Sequence, residues 1–125
     1  MEFIEGDVRD ADAVERAVAG SEVVFHLAAS VGTPRSIDFP VDDAEINVIG
    51  TIRVLEASRR AGVRKVVTAS SASVYGELMT LPIGEEHPVE PDSPYAATKL
   101  CQEKLCLAWS RLYPLDCVCL RYFNV

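Results

Sequence analysis

Four short apolar runs, separated by spans of helical periodicity, leave this chain very few architectures. Val63-Arg64-Lys65-Val66-Val67-Thr68-Ala69 is short and rich in β-branched residues, as a buried strand should be. Glu22-Val23-Val24-Phe25-His26-Leu27 lacks apolar–polar alternation, the composition of a strand in a sheet covered on both faces. Residues 2–7, stopped by Gly6, and residues 116–122 complete the set of predicted strands. Between them, Asp10 is placed to cap a helix that ends at Gly20, with Ala13, Val14, Ala17 and Val18 as its apolar stripe. A second helix is expected from Asp42 or Asp43 to a C-cap at Gly62, with Val48, Ile52, Leu55 and Arg59 at its spacing. A third opens at Ser93-Pro94 and runs to about Leu112. Ser93 suits the N-cap, and Pro94 sits where its missing N–H costs nothing. Strand and helix in strict alternation predict a doubly wound parallel sheet of the α/β class.

Composition narrows the partners. Twelve basic against nineteen acidic residues give a net charge of −7, which argues against nucleic acid or an anionic membrane surface. No apolar run approaches the ~20 residues of a membrane span, and the first residues lack the pattern of a signal peptide. Cys101, Cys106, Cys117 and Cys119 have no Cys-x-x-Cys spacing, and neither His26 nor His87 lies beside them. Reduced cysteines in a cytoplasmic protein are expected rather than a metal site or disulfides.

The chemistry concentrates between residues 63 and 99. The first strand there runs into Ser70-Ser71-Ala72-Ser73-Val74-Tyr75-Gly76, and the helix beyond the linker opens with Ser93-Pro94-Tyr95-Ala96-Ala97-Thr98-Lys99. Tyr95 and Lys99, four apart, share one helix face. A free tyrosine has a pKa of about 10, and a neighbouring ammonium favours its phenolate. A strand-end hydroxyl facing such a pair makes a proton-transfer constellation. The linker, residues 76–92, is long enough to suggest a lid, or else a plain surface excursion.

These segments, with Arg121-Tyr122-Phe123-Asn124-Val125, resemble the NAD-dependent epimerase/dehydratase family, the extended short-chain dehydrogenases/reductases acting on nucleotide-linked sugars. The resemblance implies a Rossmann-like, three-layer α/β/α fold. It also implies that Ser71, Tyr95 and Lys99 are the catalytic residues, although Ser70 and Ser73 compete with Ser71 for the hydroxyl role. NAD is the implied cofactor. Asp7 and Val8 would meet its adenine, unless Asp7 merely caps a turn. Leu27, Ala28 and Ala29 would pass beneath its ribose and phosphates, unless the small side chains serve only tight packing. Ser70, Asn47, Tyr95, Lys99 and the backbone around Tyr122 would complete its surroundings. Asn47, on an otherwise apolar helix face, would need hydrogen bonds to the end of a neighbouring strand. Ser71, Ser73, Tyr95 and Asn124 would bind the nucleotide-sugar substrate, and Thr33, Arg35 and Ser36, in the loop after Ala29, could touch its phosphate. Thr98 reads as filler on the helix face, and His26 as a packed strand residue.

Two departures from the family pattern refine the expectation. Dehydratases of the family carry an acidic pair after the strand-end hydroxyl, where this chain has Ala72 and Ser73. This favours a nucleotide-sugar 4-epimerase of the UDP-glucose type over a dehydratase. A reductase, a decarboxylase or a non-catalytic oligomerising relic remain as alternatives. Val31 stands where some epimerases place a ribose-binding lysine, which weighs against a galactose epimerase. No glycine-rich phosphate turn occurs in the 125 residues. The resemblance therefore makes residues 1–125 an incomplete NAD(P)-binding domain, lacking the first two strands and the substrate domain. The predicted strand at Phe3 then loses its neighbour and the one at Val23 exposes an edge. Either the chain is a piece of a longer protein, or the Phe3 strand closes beside Val23, or another chain fills the gap. A homodimer through the two long helices, near Asn47 and Leu107, is expected.

Overall fold

In the computed structural model, which describes residues 2–123, three parallel strands lie in the order β1-β2-β3. They are β1 (Val23–His26), β2 (Lys65–Ser71) and β3 (Asp116–Tyr122). Val23 pairs with Lys65 at one end of the sheet, and Ser71 pairs with Tyr122 at the carboxyl end. The long crossovers put helices between the strands, as parallel pairing demands. This is a Rossmann-like sheet, part of the three-layer α/β/α architecture.

α1 (Ala11–Val18) starts at Asp10, whose carboxylate accepts from the backbone N–H groups of Asp12 (3.0 Å) and Ala13 (3.3 Å). After β1 come two short helices, α2 (Thr33–Asp38) and α3 (Pro40–Ala44). α3 passes through a wide π turn (Glu45–Ile49) straight into α4 (Gly50–Arg60). α5 (Pro94–Leu112) begins where Ser93 Oγ accepts from the Ala96 N–H at 3.3 Å. Leu55, Val63, Val66, Cys106 and Leu115 form the main core, and Val14, Val18, Val54 and Ala57 a second cluster between α1 and α4.

Three expectations change. Residues 2–7 form no strand, and Phe3 is 89% exposed. A strand is held by a neighbour's ladder, and none lies beside this segment among the described residues. Residues 33–38 are helix rather than loop. The second long helix starts earlier than expected, at Pro40, and widens at Asn47.

The helices cover one face of the sheet. Along β2, Val66, Thr68 and Ser70 are buried against α4 and α5, whereas Lys65, Val67, Ala69 and Ser71 are only half-buried. On the same open face Phe25 is 66% and Leu27 62% exposed. The non-alternating run of β1 is thus composed for two-sided burial, yet no element covers its second face among the described residues. Grooves follow both free edges. One of about 350 Å³ lies beside β1, lined by Val14, Val18, Phe25 and Leu27; one of about 630 Å³ lies beside β3, lined by Tyr75, Glu103, Arg121 and Phe123. Neither includes Tyr95 or Lys99.

Candidate active site

The first turns of α5 stand over the carboxyl end of β2. Pro94 starts the helix and Ser93 caps it, which leaves the N–H of Tyr95 to be satisfied from elsewhere. Ser36 of α2 does this: its hydroxyl, fully buried, accepts from Tyr95 N at 3.0 Å and donates to the Thr33 carbonyl at 2.8 Å. The phosphate contact considered for Ser36 is therefore corrected, since both hydrogen-bonding directions of its hydroxyl are used in positioning Tyr95. Arg35 pairs with Asp42 and donates to Ser30 Oγ at 3.2 Å, and Thr33 is exposed at the start of α2.

Lys99, one turn on, is only 2% exposed. Its ammonium donates to the Ala69 carbonyl of β2 at 2.8 Å and to Gln102 Oε1 at 3.2 Å, and lies 6.0 Å from the centroid of the Tyr95 ring. Burial lowers its pKa from the usual 10.5 to about 8, against the opposing pull of the Asp43 carboxylate. Two residues beyond Ala69, Ser71 ends the strand; its Oγ accepts from Ser73 N (3.2 Å) and from Ser73 Oγ (2.9 Å). Ser71, Ser73 and Tyr122 thus cluster at one corner of the sheet, with Tyr122 opposite Ser71 in register and 47% exposed. Lys99 reaches the same strand end through the Ala69 carbonyl, with the Tyr95 ring 6.0 Å from its ammonium.

Ser70 points the other way. Its hydroxyl donates to Glu103 Oε1 at 2.6 Å, and Arg121 holds the same carboxylate with Nε and Nη2, each at 2.9 Å. Burial alone would push the Glu103 carboxyl up, but these hydrogen bonds outweigh it and hold it below the usual range. The Ser70 side chain is thereby spent inside the fold. Arg121 also stacks over the Tyr75 ring, 4.7 Å from its centroid, and donates to the Glu85 carbonyl at 3.3 Å. That clamp fastens the linker to the end of β3.

Asn47 satisfies the requirement its burial imposes. Its Oδ1 accepts from Ser30 N at 2.9 Å, and its Nδ2 donates to the Ser30 carbonyl (3.1 Å) and to Thr98 Oγ1 (3.2 Å). Beside it, Thr51 Oγ1 gives its single proton to the Asn47 carbonyl at 2.6 Å, so at 2.9 Å it can only accept from His26 Nε2. His26 is accordingly neutral: burial, and then the charge of Lys99, lower its pKa from 6.5 to about 4.

Thr98 is not filler. Its hydroxyl accepts from Asn47 and gives its single proton to Asp43 Oδ2 at 2.7 Å, the nearer and charged of its two acceptors, with the Tyr95 carbonyl 3.0 Å away. Asp43, Thr98, Gln102 and Glu103 all escaped a reading by residue type. The one available signal was their polarity on helix faces that turn out to be buried.

The remaining expected contacts lie further out. Leu27 and Ala28 are exposed just beyond β1 and Ala29 is half-buried there. Asp7 is exposed and engaged by Arg9, through its backbone N–H at 2.8 Å and its guanidinium at 2.7 and 3.0 Å. Those hydrogen bonds hold the Asp7 carboxyl at about 2. Val8 packs on Gly50, where a Cβ would come within 2.8 Å of its side chain. Asn124 lies outside the described residues.

All of residues 1–125 match the NAD dependent epimerase/dehydratase family. The UDP-glucose 4-epimerase of Mycolicibacterium smegmatis is 49% identical over 119 residues, covering 94% of this chain and 38% of that protein. A dTDP-glucose 4,6-dehydratase of Streptomyces niveus is 38% identical over 98% of this chain and 36% of its own length. The crystal structure of UDP-glucose 4-epimerase from Brucella ovis in complex with NAD superposes with a TM-score of 0.94 at 35% identity, over 98% of this chain and 38% of that one. The chain thus spans under two fifths of the length of these proteins. Family match, identity and superposition agree: this chain belongs to the NAD-dependent epimerase/dehydratase family, the extended short-chain dehydrogenases/reductases.

Proposed function

We propose that this chain carries the catalytic centre of an NAD-dependent nucleotide-sugar 4-epimerase of the UDP-glucose type, in which Tyr95 is the acid–base group, Lys99 its electrostatic partner and Ser71 the substrate-orienting hydroxyl. The observation that carries this is the buried ammonium of Lys99, 6.0 Å from the Tyr95 ring at the strand end that Ser71 terminates. A cation there stabilises the phenolate, and tyrosine then takes and returns the proton of a sugar hydroxyl. Ala72 and Ser73, in place of an acidic pair, support epimerisation over loss of water.

NAD fits the residues present at its nicotinamide end. Lys99 places two of its three N–H donors on Ala69 and Gln102 and keeps one for a ribose hydroxyl. Small side chains at Ala28 and Ala29 let a ligand approach the backbone beyond β1. At the other end Asp7 and Val8 would meet adenine, with Asp7 shared between adenine and Arg9. The pyrophosphate cradle would come from residues of the intact protein outside this stretch, as would the substrate domain; Asn124 would contact the substrate phosphate. When bound, NAD supplies the hydride acceptor and donor. The intact protein is taken to be a cytoplasmic homodimer through the outer faces of α4 and α5.

The test uses the intact protein with UDP-glucose or UDP-galactose. Interconversion of the two, with NAD staying bound and oxidised between turnovers, is the expected result. Tyr95→Phe and Lys99→Met should each lower kcat by about 10²-fold or more, while calorimetry still detects NAD binding to Tyr95→Phe. Stoichiometric release of NADH would identify a reductase instead, and loss of CO₂ a decarboxylase. Wild-type turnover in both variants would overturn the assignment of the pair.

A further inference from the structure

Against Thr98, which lies between Tyr95 and Lys99 in the first turns of α5, sits a carboxylate that the proposed proton transfer does not use. Asp43, in α3, has no exposed surface. Its Oδ2 accepts from Thr98 Oγ1 at 2.7 Å, and its Oδ1 is one of three buried side-chain polar atoms left without a partner among the described residues. No arginine answers it. Arg9 and Arg35 both pair with the neighbouring Asp42 instead. A buried carboxylate with one oxygen unsatisfied is costly unless a charge compensates it.

The elements packed round this pocket contribute few other charges. β1 offers His26, neutral and hydrogen-bonded to Thr51. β2 offers only the Ala69 carbonyl to the ammonium. α5 offers Tyr95, Lys99 and Glu103, and Glu103 is neutralised by Arg121 of β3. That leaves one buried anion without a cation and one buried cation without an anion.

We propose that Asp43 is the counter-charge and positioning residue of Lys99, bolted by Thr98 to the helix turn that carries Tyr95 and Lys99. This rests on the assignment of Tyr95 and Lys99 as the reacting pair. Asp43 acts from a distance through the field, and through the Asp43–Thr98 hydrogen bond that sets the entry of α5 against α3. Its presence opposes the effect of burial on the ammonium and keeps Lys99 charged near neutral pH. The Asn47–Thr98 bond makes the same hydroxyl the meeting point of α3, the π turn and α5.

The experiment is an NMR titration of the intact protein with ¹⁵N-labelled lysine, following Lys99 Nζ in wild type, Asp43→Asn and Thr98→Val. Asp43→Asn keeps an acceptor for Thr98 and removes the charge, and it should move the Lys99 midpoint down by about one unit. A unit's shift approaches a tenfold loss of ammonium at pH values above the wild-type midpoint. Thr98→Val removes the bolt and keeps the charge, so it should lower Tm while leaving the midpoint within a few tenths of a unit of wild type. An unmoved midpoint in Asp43→Asn, or an equal shift in both variants, overturns the proposal. Should Asp43→Asn fail to fold, Asp43→Ser replaces it, keeping an oxygen for Thr98 without the charge; the Lys99 midpoint should fall by a similar amount, and an unmoved midpoint would be equally fatal. None of these readings uses turnover. A protein that failed to epimerise would sink the proposed function and leave this test standing.

Discussion

At the scale of single residues, His26 makes acid stability a property of one side chain. It is 4% exposed, its Nε2 donates to Thr51, and its pKa is lowered to about 4. The unfolded chain binds a proton at His26 below about pH 6.5 that the folded protein refuses until about pH 4. Its contribution is therefore constant above pH 6.5, declines from there to pH 4, and costs about 3 kcal/mol at the bottom of that window. Urea titrations between pH 4 and 7 should show this slope in wild type and a shallower one in His26→Gln. An unchanged slope in the variant would assign the loss to other groups.

Among the elements, α5 depends on contacts at its first turn that lie far away in sequence. Ser93→Ala should cost about 1 kcal/mol, as for other N-caps. Ser36→Ala should cost about 1–3 kcal/mol, because it strands the buried N–H of Tyr95. Chemical denaturation checks both, and a neutral Ser36→Ala would show that water replaces the hydroxyl. The linker returns over Gly76, which has φ of 65°; a Cβ there would lie 2.0 Å from the Glu90 carbonyl oxygen. Backbone cannot yield as a side-chain tip does. Gly76→Ala should therefore lower Tm and raise hydrogen exchange across residues 76–92, and wild-type exchange would contradict the close approach.

The same elements show how much the sequence could disclose. Asp10, Ser93-Pro94 and Gly62 mark helix ends by local chemistry, so α1, α5 and the end of α4 were legible. β1 and β2 followed from their β-branched residues, and β3 from the short run after the last helix. α2 was not, because its pattern is inverted: its one buried residue is Ser36, while Ile37 is 60% exposed. Residues 2–7 carry strand composition but lack the partner that would make it count. That Tyr95 and Lys99 lie in the first turns of one helix was legible from spacing and from the Ser93-Pro94 start. Asp43 and Thr98 were not, because their roles depend on each other across 55 residues and no local period encodes that.

For the molecule as a whole, the consequential fact is an apolar sheet face that none of the described residues covers. Phe25, Leu27 and Leu120 are exposed there, and Val67 and Val118 half-exposed. Both outer strands also offer unpaired backbone, and contiguous apolar surface and open strand edges drive association. Residues 1–125 expressed alone should sediment as oligomers at tens of micromolar concentration, and Phe25→Lys with Leu120→Lys should shift them toward monomer. A monomeric wild-type polypeptide would show that its own tail folds over the gap.

The wide turn at Glu45–Ile49 makes the long helix tolerant of a shorter chain in one place only. Losing a residue inside it would relax the remaining four to ordinary α-helical winding and leave Thr51 to Arg60 seated on the sheet. The upstream segment would keep its heading to within about ten degrees, because five residues of the wide winding sweep nearly the angle of four ordinary ones. The protein would still fold with Asp43 on Thr98, but Asn47 would lose the wide turn from which it reaches Ser30 and Thr98. A one-residue deletion here could therefore silence the centre without unmaking the scaffold.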